Sequence, residues 1–274
     1  MKILISVFIW HIPFLIVGQN NKNAGPDFDM EDFNKKVAVA EWLCIYDNIA
    51  WWTSDSVMVQ DENEINKLGN EWFCFQDSQN KWHAVYGKYE NNIFELVFHF
   101  TVDSDAQVKR VYDQPNPDML NKYARALVTA NNQLTELRDS ISISFNQYIK
   151  HNSDSTFTVW IFPAFQPNNV AVYGGEFIYT IDPDGNSLLA DNSYFQGRFL
   201  GFEVNEPREI WLDYSELEKP SLGGVFFVEY YKEYFTSIYI DTKKNSSTLF
   251  RNETNGYYWV TVVKDSGKKK KKEK

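Results

Sequence analysis

Residues 71–102 read EWFCFQDSQNKWHAVYGKYENNIFELVFHFTV, and this stretch decides the fold class of the chain. Three segments rich in aromatic and β-branched residues, EWFCFQ, WHAVYGKY and FELVFHFTV, are separated by the polar turns DSQN and ENN. Aromatic and β-branched residues favour strands, and polar turn residues separate one strand from the next. Because such short connections join antiparallel neighbours, the stretch predicts a three-stranded antiparallel meander.

The second half of the sequence repeats this pattern. Its strand-like segments are TFTVWIFPAF, VAVYGGEFIYTID, GRFLGFEV, REIWLDY, GGVFFVEYY, FTSIYID and the two halves of TLFRNETNGYYWVTVV. In the last segment Asn255 and Gly256 form the strongest short hairpin signal. Residues 156–264 therefore predict a mainly antiparallel β region, either a second domain or part of one domain with the preceding residues.

Two helices are predicted within residues 36–150. Apolar residues at helical spacing indicate a first helix over residues 36–52, and a second apolar stripe steps by three and four from Leu120 to Ile149. The alternating SISIS around Ser140 would allow a break in this second helix. The fold class is therefore α+β: antiparallel, aromatic-rich sheets with one long amphipathic helix and a shorter N-terminal helix.

The chain begins with an apolar run, MKILISVFIWHIPFLIVG, that is preceded by one Lys and followed by polar residues. This order predicts a secretory signal peptide over residues 1–18 and a flexible lead-in over residues 19–35. The alternative is a membrane anchor. However, the run is shorter than the roughly 20 residues of a spanning helix and contains His11 and Pro13. We therefore expect an exported chain with no integral membrane segment after cleavage, either secreted or periplasmic.

The composition is unusual in its aromatic residues, with 9 Trp, 16 Tyr and 21 Phe among 274 residues. They predict an aromatic core of sheets, or alternatively a surface on which sugars stack. The net charge of −10 includes a final GKKKKKEK segment, before which the chain has 21 basic and 36 acidic residues. This acidity argues against a nucleic acid partner. Residues 265–274 predict a disordered Lys-rich tail, although a short arm contacting an anionic surface is an alternative.

The two cysteines leave their pairing open. Cys44 and Cys74 would form a disulfide in an oxidising compartment, yet each lies in an apolar run, EWLCIY and EWFCFQ, where a free thiol packs as a small apolar group. The sequence has no G-x-S-x-G, no H-E-x-x-H, no Walker motif and no G-x-G-x-x-G. It therefore predicts no cofactor.

A metal site is one hypothesis. His83 and His99 lie on neighbouring predicted strands, and with Asp103 just beyond they would form a site of two imidazoles and a carboxylate. The alternative is that both His side chains only form hydrogen bonds. The acidic segment at Asp182 suggests calcium, but Gly185 stands at the fourth position where an EF-hand requires the sixth, which favours a Pro-Asp-Gly turn.

A carboxylate pair is the other catalytic hypothesis. Glycoside hydrolysis requires two acids about 5 to 10 Å apart in a groove. Glu176, within VYGGEFIYTI, has apolar neighbours, so burial would raise its pKa. Asp213 and Asp182 are the candidate partners, and Glu216 is a further candidate. The alternative is that Glu176 is an ordinary exposed or edge glutamate.

One phrase occurs twice. Phe75–Gly87 reads FQDSQNKWHAVYG and Phe165–Gly174 reads FQPNNVAVYG. Both copies place a polar turn between two strands, so the repetition predicts two similar hairpins, with internal duplication as the alternative.

Several phrases together resemble a secreted protein family of Bacteroidota-type bacteria: EWFC with WHAVYGKY, WIFPAFQ, VYGGEFIY, IWLDYSELEKPSLGG followed by FF, and YYWV. The resemblance implies export and carries no activity, substrate or site residue. We therefore expect a non-catalytic binding protein that presents an aromatic-rich sheet to an envelope protein or glycan. A carboxylate-based hydrolase acting on glycan or cell wall is the alternative.

Overall fold

The computed structural model describes residues 28–254 and 256–264. The predicted signal peptide (residues 1–18), residues 19–27 of the predicted lead-in, the Lys-rich residues 265–274 and Asn255 lie outside the described residues. The fold class is confirmed, because helices pack on three sheets that are largely antiparallel. The helices are α1 (Met30–Met58), α2 (Glu62–Ile65), α3 (Pro117–Asn132), α4 (Thr135–Ser140) and α5 (Leu222–Tyr231).

The first sheet is the predicted meander with one added strand. Its strands β1 (Glu71–Gln76), β2 (Trp82–Glu90), β3 (Ile93–Val102) and β4 (Val108–Val111) pair antiparallel in chain order. The turn between β1 and β2 is fixed by Asp77, whose carboxylate accepts hydrogen bonds from the backbone of Gln79 and Lys81.

The second and third sheets account for the rest of the chain. The second contains β5 (Phe145–His151), β6 (Phe157–Pro163), β7 (Val170–Ile181) and β8 (Leu188–Asp191), with β9 (Tyr194–Glu203) also paired to β7. The third contains, in spatial order, β10 (Glu209–Tyr214), β11 (Ser237–Thr242), β12 (Asn245–Arg251) and β13 (Tyr257–Val263). The β12–β13 hairpin is confirmed.

The prediction that GGVFFVEYY is a strand is wrong. These residues form α5, which connects the parallel strands β10 and β11. Parallel neighbours need a crossover, which a strand cannot supply. Because α5 is apolar on nearly all sides and buried, its sequence shows no helical periodicity. Ser221 gives the only local signal, since its hydroxyl caps the helix by accepting a hydrogen bond from Gly224.

The prediction of one helix from Leu120 to Ile149 is also wrong. Helix α3 ends at Asn132, α4 adds six residues, and β5 follows the SISIS break. Tyr148 and Ile149 are both buried, although they point to opposite faces of the sheet. A strand buried on both faces loses its polar alternation. The spacing of its apolar residues then resembles that of a helix.

Helix α1 at the N-terminus is longer than α3, whereas the sequence predicted the N-terminal helix to be the shorter of the two. Helix α1 has 29 residues and begins within the predicted flexible lead-in. The Asp29 carboxylate caps it by accepting a hydrogen bond from the Asp32 backbone. Phe33 contacts the Trp259 ring edge-on, with centroids 5.1 Å apart. This contact with the third sheet explains why residues 30–35 are ordered as a helix, although their composition is polar.

The helices cover both faces of the first two sheets. Helix α3 packs on one face against β1, β3, β5, β6 and β7, whereas α1 and α5 contact each other on the opposite face. One cluster of buried side chains includes residues from α1, α5 and all three sheets. The core is therefore continuous from the first helix to the third sheet. No helix among residues 28–254 and 256–264 is long and apolar enough to cross a membrane.

The phrase that occurs twice corresponds to two hairpins, and both copies contain the same irregularity of strand pairing. In both copies the Tyr-Gly pair lies at a shift of strand register: Tyr86-Gly87 between β2 and β3, and Tyr173-Gly174 between β7 and β9. A Cβ at Gly87 would collide with the Glu95 carbonyl oxygen. The repeated glycine therefore permits a β-bulge, where two backbones approach closely.

Candidate functional site

Glu176 is buried against the start of helix α5. Its side chain is 6% exposed, and its carboxylate accepts a hydrogen bond from the backbone N–H of Gly223. Ser221 and the backbone of Leu222 also interact with this carboxylate. The first N–H groups of a helix have no partner within the helix and carry partial positive charge. Glu176 therefore caps α5 from a neighbouring strand.

Burial raises the pKa of Glu176 from its ordinary 4.5 to about 7, against the hydrogen bonds from Ser221 and Gly223, which lower it. A carboxylic acid with a pKa in this range could serve as a general acid. In this protein, however, the carboxyl group already accepts a hydrogen bond from the helix terminus through Oε2. The structure thus gives Glu176 a structural contact that the sequence does not reveal.

The candidate partner acids differ from Glu176 in position or in exposure: Asp182 lies further along the chain, whereas Asp213 and Glu216 are exposed and Glu176 is buried. Asp182 follows the end of β7, six residues further along an extended strand, a span of about 20 Å. Its carboxylate accepts a hydrogen bond from the Asn186 backbone within the β7–β8 turn, which agrees with the Pro-Asp-Gly interpretation. Asp213 is exposed on the opposite side of β10 from buried Tyr214. Glu216 is exposed in the turn that follows β10.

His83 and His99 do come together, but with a different carboxylate. The His83 Nδ1 and His99 Nε2 atoms are 2.9 Å apart, and His83 Nε2 lies 3.2 Å from the Asp77 carboxylate. Asp103 instead accepts hydrogen bonds from the Gln107 and Asp105 backbone. The predicted three-ligand group is not assembled. Within the described part of the chain, no cluster of three or more His, Cys, Asp or Glu side chains could hold a metal ion.

The surroundings of His99 favour one tautomer of its ring. His99 Nδ1 lies 2.8 Å from the Asp113 carbonyl oxygen, which can only accept, so Nδ1 carries a proton. Burial lowers the pKa of His99, with the neighbouring His83 adding to this effect. A neutral His99 ring with its proton on Nδ1 can accept a hydrogen bond from His83 at Nε2.

Both cysteines are free thiols. Burial raises the pKa of each thiol well above its ordinary value. Cys74 packs under helix α1, where its backbone N–H donates a hydrogen bond to the Tyr46 hydroxyl at 2.8 Å. Of the two alternatives that the sequence left open, the structure thus shows the unpaired thiols.

The third sheet presents an exposed aromatic face that the sequence analysis did not locate. Side chains alternate along β10, so that Trp211 is 51% exposed while Ile210 and Leu212 are buried. The Trp211 and Tyr239 rings stack, with centroids 4.3 Å apart and planes 13° apart. We call this side of the sheet the outer face. Its exposed or half-buried apolar side chains are Trp211, Tyr239, Phe250, Tyr258, Val260 and Val262.

Carboxylates border the same ring pair. Glu209 accepts a hydrogen bond from Trp211 Nε1 at 3.1 Å, and Asp213 lies two residues beyond Trp211 on the same face. Asp241, the strand partner of Asp213, forms an ion pair with Lys264 at 2.7 Å. A period-two pattern of Glu209, Trp211 and Asp213 within REIWLDY was the sequence signal for this arrangement. This pattern does not involve Tyr239, which lies beside Trp211 because β10 pairs with β11.

A pocket of about 230 Å³ lies where the end of α5 meets the β12–β13 hairpin. Its lining includes apolar Phe235, Ile238 and Leu249, and charged Glu233 and Arg251. These residues are distant in sequence, and no local motif marks them.

Comparison with protein-family models, with curated proteins and with solved structures finds no match to this chain. We therefore infer the function from the geometry of these sites.

Proposed function

We propose that this chain is a secreted or periplasmic, non-catalytic binding protein that holds a glycan of the cell envelope against the outer face of its third sheet. The observation that carries the proposal is the stacked pair of Trp211 and Tyr239, with Trp211 half exposed on the edge strand β10. One face of the Trp211 indole contacts Tyr239, which leaves the other face for a ligand.

The surroundings of the ring pair favour a glycan over a protein partner. Sugar rings combine C–H groups, which pack on aromatic faces, with hydroxyl groups, which donate to carboxylates. Glu209, Asp213 and Asp241 supply such acceptors on the same face. The centres of protein interfaces, in contrast, are depleted of Asp and Glu.

Export is part of the proposal. The apolar N-terminal run and the resemblance to a secreted bacterial family support it, and together they favour a partner in the cell envelope. The choice between a secreted and a periplasmic location does not affect the binding argument.

The alternative is a hydrolase that uses Glu176. The pKa of about 7 favours this role, whereas the engagement of its carboxylate by α5 and the positions of Asp182 and Asp213 favour the binding function. The two functions differ in one observable, since a hydrolase releases shorter products from a bound glycan and a binding protein does not.

The test is a binding measurement with peptidoglycan fragments and envelope polysaccharides, by calorimetry and by thermal shift. We expect Trp211→Ala to weaken binding about tenfold or more, because a lost stacking contact of about 1.4 kcal/mol corresponds to that factor. The matched control is Trp51→Ala, which removes a 68% exposed tryptophan from α1 and should leave affinity unchanged.

Three outcomes would overturn the proposal. The first is an equal loss of glycan affinity in Trp51→Ala and Trp211→Ala. The second is capture of a protein, but of no glycan, in a Trp211-dependent manner. The third is release of glycan products that Glu176→Gln abolishes while the variant still folds.

A further inference from the structure

The pocket at the end of α5 has an apolar floor and a charged rim. Phe235 and Ile238 are buried beneath it, and Leu249 forms part of its wall. At the rim, the Tyr257 hydroxyl donates a hydrogen bond to Glu233 Oε1 at 2.6 Å. Arg251 Nη1 lies 3.6 Å from Glu233 Oε2. The lining thus combines apolar residues with polar and charged ones, the latter being Lys232, Glu233, Thr236, Ser237 and Arg251.

Two of the three charged side chains at the rim, Arg251 and Glu233, are available to a ligand. The side chains of Arg251 and Glu233 are 53% and 61% exposed, and their 3.6 Å separation exceeds that of a close ion pair. Exposed pairs of this kind contribute little to stability, so opening this one costs little. In contrast, the third charged side chain at the rim, Lys232, forms an ion pair with the buried Glu229 at 2.9 Å.

We propose that this pocket binds a free apolar α-amino acid. The ligand carboxylate pairs with the Arg251 guanidinium, the ligand ammonium pairs with Glu233, and the apolar side chain contacts Phe235, Ile238 and Leu249. One loose ion pair is thereby replaced by two charged contacts, and the Arg251 fork matches the two oxygens of a carboxylate.

Charge and size select this class of ligand. A simple carboxylic acid would approach Arg251 but place its negative charge beside Glu233, and the chain as a whole has a net charge of −10. A simple amine would leave Arg251 without a partner while adding a positive charge beside it. A zwitterion avoids both repulsions. The volume of about 230 Å³ is below the roughly 300–1,000 Å³ of drug-sized pockets, so it suits one compact ligand.

The pocket is separate from the outer face, because Arg251 and Tyr257 lie on the opposite side of the third sheet from the Phe250–Tyr258 pair. The inference therefore does not depend on the proposed glycan function. Trp211→Ala should leave amino acid binding unchanged, and Arg251→Gln should leave glycan binding unchanged, so that failure of one proposal is distinguishable from failure of the other.

The experiment is a calorimetric and thermal-shift titration of the full chain with leucine and phenylalanine, up to about 10 mM, which detects dissociation constants into the millimolar range. The comparison ligands are 4-methylpentanoate, which lacks the ammonium group of leucine, and 3-methylbutylamine, which lacks its carboxylate. We expect both analogues to bind at least tenfold more weakly than leucine.

The variants are Arg251→Gln and Glu233→Gln, each expected to weaken leucine binding at least tenfold. Arg251→Lys should retain part of the affinity, because it keeps the charge. The control is Arg198→Gln, which removes an exposed arginine from β9. No saturable binding of either amino acid would overturn the inference. So would affinities for leucine and 4-methylpentanoate that are equal, or an Arg251→Gln variant that binds as the unmodified chain does.

Discussion

At the scale of single residues, the most informative group is the Glu176 carboxyl. The sequence left two alternatives for Glu176, a buried acid with a raised pKa and an ordinary exposed or edge glutamate, and the structure shows the buried acid. The sequence did not indicate why strand β7 has an acid at this buried position. The carboxyl group completes the N-terminus of a helix that begins 46 residues later, at Leu222.

The raised pKa makes stability depend on pH in a defined direction. Between pH 4.5, the ordinary pKa, and about 7, the folded protein holds the Glu176 proton more tightly than the unfolded chain does. The contribution of Glu176 to the free energy of unfolding should therefore be largest below this window and fall by roughly 3 kcal/mol as pH rises through it. Glu176→Gln removes this dependence, so the difference in unfolding free energy between the two proteins should change by that amount from pH 5 to pH 8.

Urea unfolding at four pH values across this range measures the effect. Glu203→Gln, which alters an exposed carboxylate on β9, is the matched control and should show a constant difference. A constant difference for Glu176→Gln as well would contradict the assignment of the titration to this group.

At the scale of elements, the repeated Ala-Val-Tyr-Gly phrase shows how far a local pattern reaches. It predicted two hairpins, and both are present. It did not show that each Tyr-Gly pair occupies a bulge, because a bulge is defined by the partner strand. At Gly174 the backbone has φ +110°, and a Cβ would lie 2.5 Å from the Arg198 carbonyl oxygen.

Gly174→Ala should therefore lower the free energy of unfolding by about 2–4 kcal/mol, since it adds a collision to the cost of a positive φ. Gly197 is a matched control, because it also has a positive φ, of +77°, but a Cβ there meets no atom within 4 Å. Gly197→Ala should cost only about 1–2 kcal/mol. Chemical denaturation of both variants provides the comparison, and equal losses would exclude the close approach as the cause.

The two elements that the sequence assigned wrongly share one property. Both α5 and β5 are buried on more than one side. Secondary structure is inferred from the alternation of apolar and polar residues, and that alternation exists only where one side of an element faces water. The meander was predicted correctly because its strands and turns differ in composition as well as in pattern.

At the scale of the whole molecule, Asp47 links three separate parts of the fold. Its carboxylate, in α1, accepts hydrogen bonds from the Tyr148 hydroxyl of β5 at 3.0 Å and from the Tyr230 hydroxyl of α5 at 2.8 Å. Asn146 donates a third, at 3.1 Å. Burial raises the pKa of this carboxyl group, and the three donors oppose the rise.

Asp47→Ala should lower the free energy of unfolding by about 2–4 kcal/mol, because it leaves the buried Tyr148 hydroxyl and two half-buried donors, Asn146 and Tyr230, without this acceptor. Since the core is continuous from α1 to the third sheet, the loss should appear as a shift of one cooperative transition. Far-ultraviolet circular dichroism and tryptophan fluorescence should report the same midpoint. Asp55→Ala, at an exposed position of the same helix, should change stability by less than about 0.5 kcal/mol. Two separate transitions in Asp47→Ala would indicate two independently folding parts.

The fold class, the meander and the C-terminal hairpin followed from the sequence, because each of these depends on side chains within a few residues of one another. The tertiary structure decided which residues share a site. It placed Asp77 rather than Asp103 beside the His pair, brought Trp211 to Tyr239 through a parallel pairing, and joined Arg251 to Glu233 at a pocket. The physical reason is that a site is formed by contacts between distant parts of the chain. Strand pairing and helix packing fix those contacts, and neither can be inferred from the residue periodicity of a short segment.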